Sequence, residues 1–175
     1  MLKSAFAATV MVAALSILPG HTQSESTETK PTQVDGNQIV RSVSMNDMRA
    51  ITASFAHTII EEYEEQNGFL VQTPNGFKYM VLLKACEENG QCQGMLIGSI
   101  HQLPEGVTWP VVNQVDMQAD AFGVYVANDQ LIIDRYFILS GGVRVEAFAY
   151  EVATLISTAP NLMARIGELA AAASG

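Results

Sequence analysis

The sequence predicts an α+β domain in which a five-stranded antiparallel sheet is combined with helices in the order α-β-β-β-α-β-β-α. Two stretches, residues 77–101 and 120–139, each contain two apolar segments around a short polar turn. Segments with the apolar spacing of amphipathic helices precede, separate and follow these stretches. Strands adjacent in sequence and joined by tight turns pair antiparallel, so we expect the helices to lie on an antiparallel sheet.

The first predicted element is a helix that begins after Ser44 and ends at Asn67. Ser44 suits the N-cap, and Asp47 lies in the first turn, where a carboxylate interacts favourably with the helix dipole. The apolar residues of this segment fall three or four positions apart, and they are Met48, Ile51, Phe55, Ile59 and Tyr63. This spacing predicts one buried helix face.

A short strand over residues 69–73 and a hairpin over residues 77–101 follow the first helix. Residues 77–85 alternate with the two-residue period of a strand. Asn89 and Gly90 supply the left-handed backbone that a tight reversal needs. The hairpin is therefore the central part of the predicted sheet.

The second half of the chain begins with a short predicted helix at Trp109, where Pro110 is tolerated in the first turn. A second hairpin is predicted to pair residues 120–126 with residues 131–139. A final helical segment follows with its own apolar stripe. We expect Pro160 to interrupt this segment, so that a last helix starts after it.

Residues 1–22 have the features of a secretory signal peptide. Lys3 precedes an uncharged apolar run that ends at Leu18. This run is shorter than the ~20 residues that cross a hydrocarbon core of ~30 Å. We expect cleavage after Thr22 and a periplasmic location. The alternatives are cleavage after Ser24 and an uncleaved anchor in the inner membrane with the domain facing the periplasm.

The composition indicates a single domain behind a spacer. The chain has 175 residues, which suffices for one domain with a full core. Residues 23–43 are polar and predict a flexible spacer, whereas residues 44–172 form the predicted domain. The formal net charge is −9, and an acidic surface repels phosphate backbones, so we expect no nucleic-acid partner.

Cys86 and Cys92 are the only cysteines and stand at the two shoulders of the first hairpin. An exported chain meets an oxidising compartment, which favours a disulfide. Two ligands without a nearby histidine make a poor zinc site, and a redox motif would have two intervening residues rather than five. We therefore predict a structural disulfide between them.

Candidate chemical groups are sparse, and we expect no enzymatic activity, no cofactor and no metal. His57 is predicted on the polar side of the first helix. His101 is predicted at the end of a strand, where a structural role is favoured over that of a general base. Asp134 and Arg135 are neighbours on a strand, so their side chains point to opposite faces and each needs its own partner.

The predicted strands are apolar on both faces. Helices on one face of a sheet leave the other face uncovered, and an uncovered apolar face indicates an interaction site. The residues predicted to form this surface are Met80, Leu82, Ile132, Tyr136 and Ile138. We expect it to contact a second copy of the chain, which gives a homodimer, or alternatively a protein or peptide client.

The predicted order of helices and strands resembles that of the YbjN-type domain, a family of bacterial sensory transduction regulators, and so do four phrases of the sequence. They are the Cys86 to Cys92 hairpin, Asn113-Gln-Val-Asp116, Phe122-Gly-Val-Tyr125 and Leu139-Ser-Gly-Gly-Val143. The similarity covers about Met45 to Ile166. The family often carries a Trp-Asn pair in the middle helix, whereas this chain has its tryptophan at the helix start and an aspartate where asparagine is usual.

This resemblance implies a fold like that of the type III secretion chaperones, which are small dimeric proteins that hold extended client segments. It implies no catalytic residue, cofactor or substrate. We therefore expect an exported, non-enzymatic protein-interaction module, chaperone-like or regulatory in envelope stress. The alternative is a small-molecule-binding or hydrolytic periplasmic protein with a pocket near His101 and Trp109.

Overall fold

The structure is a computed structural model, and it describes residues 34–174. The elements in chain order are β1 (Ile39–Val40), α1 (Met45–Ser54), β2 (Thr58–Tyr63), β3 (Gly68–Gln72), β4 (Lys78–Cys86), β5 (Cys92–Gln102), α2 (Trp109–Asp116), β6 (Gly123–Ala127), β7 (Gln130–Ile138), β8 (Val143–Arg144) and α3 (Val145–Ser174). The predicted signal peptide, residues 1–22, and the first part of the predicted spacer lie outside the described residues.

The predicted α+β class and antiparallel sheet are confirmed, but the number of strands is wrong. Within residues 34–174 the main sheet has six strands in the order β2-β3-β4-β5-β7-β6, and β1 pairs with β8 in a separate two-stranded sheet. All neighbouring strands of the main sheet run antiparallel. The sixth strand is β2, which comes from a segment predicted to be helical.

The first helix begins as predicted and ends thirteen residues early, at Ser54 instead of Asn67 (67 − 54 = 13). Its start is a capping box, in which the backbone N–H of Asp47 donates to Ser44 Oγ at 3.2 Å and the Asp47 carboxylate accepts the Ser44 N–H at 2.7 Å. The next residues include the β-branched Thr58 and Ile59, which favour a strand. Pairing of β2 with β3 therefore replaces the last turns of the predicted helix.

The last helix is continuous, so the predicted interruption at Pro160 is wrong. Pro160 lies inside α3 and lacks an N–H, a defect that costs about 3 kcal/mol in a helix interior. Asn161 Nδ2 donates to the Ser157 carbonyl oxygen at 2.9 Å. Leu155, Ala159 and Ile166 on either side of the proline are fully buried. We attribute the continuity of the helix to this packing, which offsets the local cost.

The last residues of the predicted flexible spacer are folded. Ile39 lies opposite Arg144 in the pairing of β1 with β8. Val43 is fully buried, and its N–H donates to the Cys92 carbonyl oxygen at 3.0 Å while the Cys92 N–H donates back at 2.9 Å. A few apolar residues at the end of this polar segment thus dock it on the hairpin.

One face of the main sheet packs against the helices and forms the core. The buried residues of this face include Phe69, Val81, Met95, Ile97 and Ile133. They are joined in the same core by buried residues of all three helices, such as Ile51, Val112 and Leu155. The registers place Val81 opposite Ile97 and Met95 opposite Phe137, so the core side chains form continuous rows across the strands.

The second hairpin forms as predicted around residues 127–130. Asn128 and Asp129 have φ values of 50° and 58°, and two left-handed residues are the requirement of the tight turn that matches strand twist. β7 pairs with β6 on one side and with β5 on the other. β7 is therefore an interior strand, and its side chains on each face of the sheet have neighbours on both β5 and β6.

Candidate functional site

The candidate site is the face of the main sheet that points away from the helices, which we call the open face. Its larger side chains are Leu70, Met80, Leu82, Leu96, Ile100, Tyr125, Ile132, Tyr136 and Ile138. The registers bring them together, since Leu82 lies opposite Leu96 and Leu96 lies opposite Tyr136. The five residues predicted for an interaction surface thus lie on one face, and their role in binding stays a prediction.

The open face is apolar and accessible to solvent. Tyr136 is 49% exposed, and Ile100 and Ile138 are also exposed, whereas Met80 and Leu82 are half-buried. A contiguous apolar surface on strands is unusual unless it contacts another molecule.

Three glycines on the open face let larger side chains of the adjacent strands lie across them. A Cβ added at Gly98 would lie 2.7 Å from Asp134 Cβ, which is closer than atoms tolerate. Added Cβ atoms would clash in the same way with the Leu82 side chain at Gly68 and with the Tyr136 ring at Gly94. Leu82, Tyr136 and Asp134 therefore lie across the glycines of the adjacent strands. A signal for this arrangement is present in the sequence, since glycine inside a strand often marks such a close approach.

Asp134 is a nearly buried carboxyl group in the middle of the open face. It is 9% exposed, and Tyr125 Oη donates a hydrogen bond to Asp134 Oδ2 at 2.5 Å. Burial raises the pKa of Asp134, and the hydrogen bond from Tyr125 acts in the opposite direction. Burial and the adjacent carboxylate raise the pKa of Tyr125, so its phenol holds its proton.

Arg135, the next residue, points to the helix face and has a different partner. Arg135 Nη1 lies 2.9 Å from Glu151 Oε2 on α3, and its guanidinium stacks over the Phe137 ring at 5.1 Å. The expectation that Asp134 and Arg135 take separate partners on opposite faces is confirmed. No cation from this pair therefore compensates the Asp134 charge.

A disulfide closes the far end of the β4–β5 hairpin. Cys86 and Cys92 are bonded, with their Cα atoms 3.8 Å apart and directly opposite in the register. Among the described residues this leaves no free cysteine. The predicted disulfide is thus present in the structure, and it links the arms of the hairpin on which half of the open face is built.

Of the two residues named for the predicted small-molecule pocket, Trp109 lines an apolar recess. Trp109 is 62% exposed and lines an apolar recess of about 320 Å³ together with Leu103, Val107, Thr108, Pro110, Val112 and Val126. His101 is not part of that lining. Its Nε2 lies 2.9 Å from Ser99 Oγ on the helix side of the sheet.

Both histidines in the described part of the chain lie beside hydroxyl groups. Ser99 is 1% exposed, so its hydroxyl is closed to a substrate, and burial lowers the pKa of His101. His57 follows α1 instead of lying on it, and its Nδ1 is 2.9 Å from Tyr79 Oη. Burial lowers the pKa of His57 as well. Both imidazoles are thus engaged with neighbouring hydroxyl groups.

The carboxylate of Asp116 on α2 accepts a hydrogen bond from the backbone of β6. Its Oδ1 accepts the N–H of Val124 at 2.8 Å, which ties the end of α2 to β6 at the edge of the sheet. Between residues 34 and 174, no group of three His, Cys, Asp or Glu side chains is arranged to hold a metal ion. In the same range no helix has both the length and the apolar character needed to cross a membrane.

Comparisons with protein-family models, with curated proteins and with solved structures returned no match. The likeness to the YbjN-type domain, inferred from the predicted element order and the four sequence phrases, stays a prediction. The fold and the geometry of the open face carry the functional argument.

Proposed function

We propose that the protein is an exported, non-enzymatic interaction module that works through its open face. The observation that carries this proposal is the apolar surface on five adjacent strands, opposite to the face that the helices cover. Tyr136 and Ile138 expose large apolar area to water there. Covering this surface with protein would be favourable by about 25 cal/mol for each Å² removed from water.

A second copy of the chain is the occupant that we propose, and it would form a homodimer. Five strands spaced by ~4.8 Å, with about six residues each at ~3.3 Å, give an area of roughly 500 Å² in projection. Protruding side chains bring the accessible area toward the ~800 Å² per partner that stable complexes bury. A flat sheet face is matched best by another sheet face, packed at ~10 Å. An extended client would cover only a strip of it.

The charge distribution also suits a second copy. Lys78 and Lys84 lie on β4 and Glu61 on β2 of the open face, so the formal charges at its margin have both signs. Across a twofold axis, margins of mixed sign do not force like charges together. The centre holds one ionisable acid, Asp134, which is already hydrogen-bonded.

The resemblance to YbjN-type domains supports the same class of function. That family is similar in fold to the type III secretion chaperones, which act as dimers on extended segments. By this analogy the protein is chaperone-like or regulatory in envelope stress. This likeness in fold suggests the class of activity that we propose.

The Cys86–Cys92 disulfide supports export, since such bonds persist in oxidising compartments. We propose the periplasm as the location, reached by the signal peptide in residues 1–22. The alternative arrangement is an uncleaved N-terminal anchor in the inner membrane with the domain facing the periplasm. Mass spectrometry of the purified protein distinguishes the two, because cleavage after Thr22 removes 22 residues.

A small-molecule-binding role is the second candidate, and the recess beside Trp109 favours it. The recess is apolar, and the indole ring is exposed at its rim. A thermal-shift screen with apolar metabolites tests this role, because a metabolite that bound in the recess would raise the melting temperature of the protein. Replacing Val107 by a charged residue would abolish that shift without changing the open face.

Photo-crosslinking in intact cells tests the proposed interaction. A photoreactive phenylalanine analogue replaces Ile132 or Leu82 in the full chain, and a matched control places it at Tyr150 on α3. We expect an adduct of twice the chain mass from the open-face positions and none from Tyr150. An adduct with a different protein would contradict the homodimer and favour a client. No adduct from the open face would contradict the interaction role.

A further inference from the structure

Asp134 differs from every other residue in the interior of the open face. The side chains around it on that face are apolar or aromatic: Ile132 and Tyr136 on its own strand, and Leu96 and Ile100 on β5. Its direct cross-strand neighbours are Gly98 and Gly123, which have no side chains, and Tyr125 on β6 reaches its carboxylate with a hydroxyl group. Asp134 keeps 9% of its surface exposed to solvent, and its position on β7 places it on the open face.

We propose, on the basis of the homodimer proposed above, that association of two open faces binds a proton at each Asp134, so that acid tightens the dimer. A second copy would remove the solvent that the carboxylate still contacts. An ionised carboxylate without a cation is costly to bury, whereas a neutral carboxyl group that keeps its hydrogen bond is not. Tyr125 Oη donates to Asp134 Oδ2 in both protonation states, so the neutral pair stays satisfied.

The other titratable groups leave this charge uncompensated. Tyr125 on β6 donates to it, and Tyr136 on β7 lies with its hydroxyl end over Gly94. Arg135 lies on the opposite face, which the helices cover, and pairs there with Glu151 on α3. The two lysines of the open face, on β4, are two strand spacings away, at least ~10 Å. That separation exceeds the ~8 Å Debye length at physiological ionic strength.

The sign of the effect follows from the direction of the pKa shift. Burial already raises the pKa of Asp134 in the single chain, and the dimer buries it further, so the dimer has the higher pKa. Below the pKa of the single chain both states are protonated and the dimer is tightest. As pH rises from that value to the pKa in the dimer, affinity falls by up to about tenfold per pH unit for each Asp134.

Sedimentation equilibrium of the full chain, purified from the oxidising compartment, between about pH 5 and about pH 8 tests the inference. The dissociation constant of the wild type should rise by about tenfold or more across this range. The Asp134→Asn side chain is neutral at every pH, so the dissociation constant of this variant should stay low and should not depend on pH. Tyr125→Phe removes the hydrogen bond that lowers the Asp134 pKa, so its profile should move to higher pH.

Asp129→Asn is the matched control, because it removes one carboxylate from the exposed tip of the same hairpin and should behave as the wild type. A wild-type dimer with one dissociation constant at all pH values, unchanged in Asp134→Asn, would overturn the inference and leave the dimer standing. A chain that is monomeric at every pH would overturn both. If circular dichroism shows that Asp134→Asn does not fold, the pH profile of the Tyr125→Phe dissociation constant decides. A shift of that profile to higher pH supports the inference, and an unshifted profile overturns it.

Discussion

Removing the Tyr136 side chain is the perturbation that bears most directly on the open face. Tyr136 is 49% exposed, and its ring lies across Gly94 beside Leu96. In the proposed dimer this ring is covered by the partner. Tyr136→Ala deletes the contact twice, once in each copy, so a symmetric interface doubles its effect.

The structure sets the size of the expected effect. A tyrosine side chain carries about 200 Å² of surface, so the exposed half leaves about 100 Å² per copy for an interface. Two copies bury about 200 Å², which at ~25 cal/mol per Å² corresponds to at most ~5 kcal/mol. The polar hydroxyl and the residual alanine reduce this value to about 3 kcal/mol. Tyr136→Ala should therefore weaken dimerisation by about 100-fold.

The assay is a dilution series followed by light scattering at about pH 5, with Tyr150→Ala as the control. Tyr150 is 78% exposed on α3, on the other side of the domain from the open face. Its removal deletes the same chemical group and should leave the dissociation constant unchanged. The reasoning is refuted if Tyr136→Ala dimerises as tightly as the wild type, or if Tyr150→Ala weakens the dimer as much.

Two further predictions concern the hairpin and the strand glycines. Replacing both Cys86 and Cys92 by serine should lower the free energy of unfolding by about 2 kcal/mol in a urea titration, since the bond closes a short loop. Reductant should lower the free energy of unfolding of the wild type by the same amount and leave that of the double variant unchanged. Gly98→Ala should cost about 1–3 kcal/mol in the same titration, because its Cβ would meet Asp134 Cβ at 2.7 Å. Gly141→Ala, with open space around its Cβ, should cost much less, and equal losses would argue against the close packing.

The two hairpins could be predicted from the sequence because their signals are local. Alternation over residues 77–85 and the Asn89-Gly90 turn act within one stretch of chain. The strand β2 could not be predicted, because its register shifts between Ile59 and Glu61 and breaks the two-residue period. Ile59 then faces the helices while Tyr63 faces the other side, although their four-residue spacing imitates a helix.

The open face was predictable in outline, and its centre was not. Apolar residues on both sides of β4 and β7 are visible in the sequence and predicted the five surface residues. The partner of Asp134 depends on the register between β6 and β7, and its position over Gly98 depends on pairing with β5. Those contacts join residues distant in sequence, so no local pattern indicates them.

The most direct test of the account is an isotope-filtered nuclear Overhauser measurement on a mixture of labelled and unlabelled chains at about pH 5. Only contacts between different copies give signals in that experiment. The account predicts intermolecular signals from methyl groups of Leu82, Leu96 and Ile132 and none from Leu155 in the core. Intermolecular signals confined to α3 or the Trp109 recess, or the absence of any, would contradict the claim that the open face contacts a second copy.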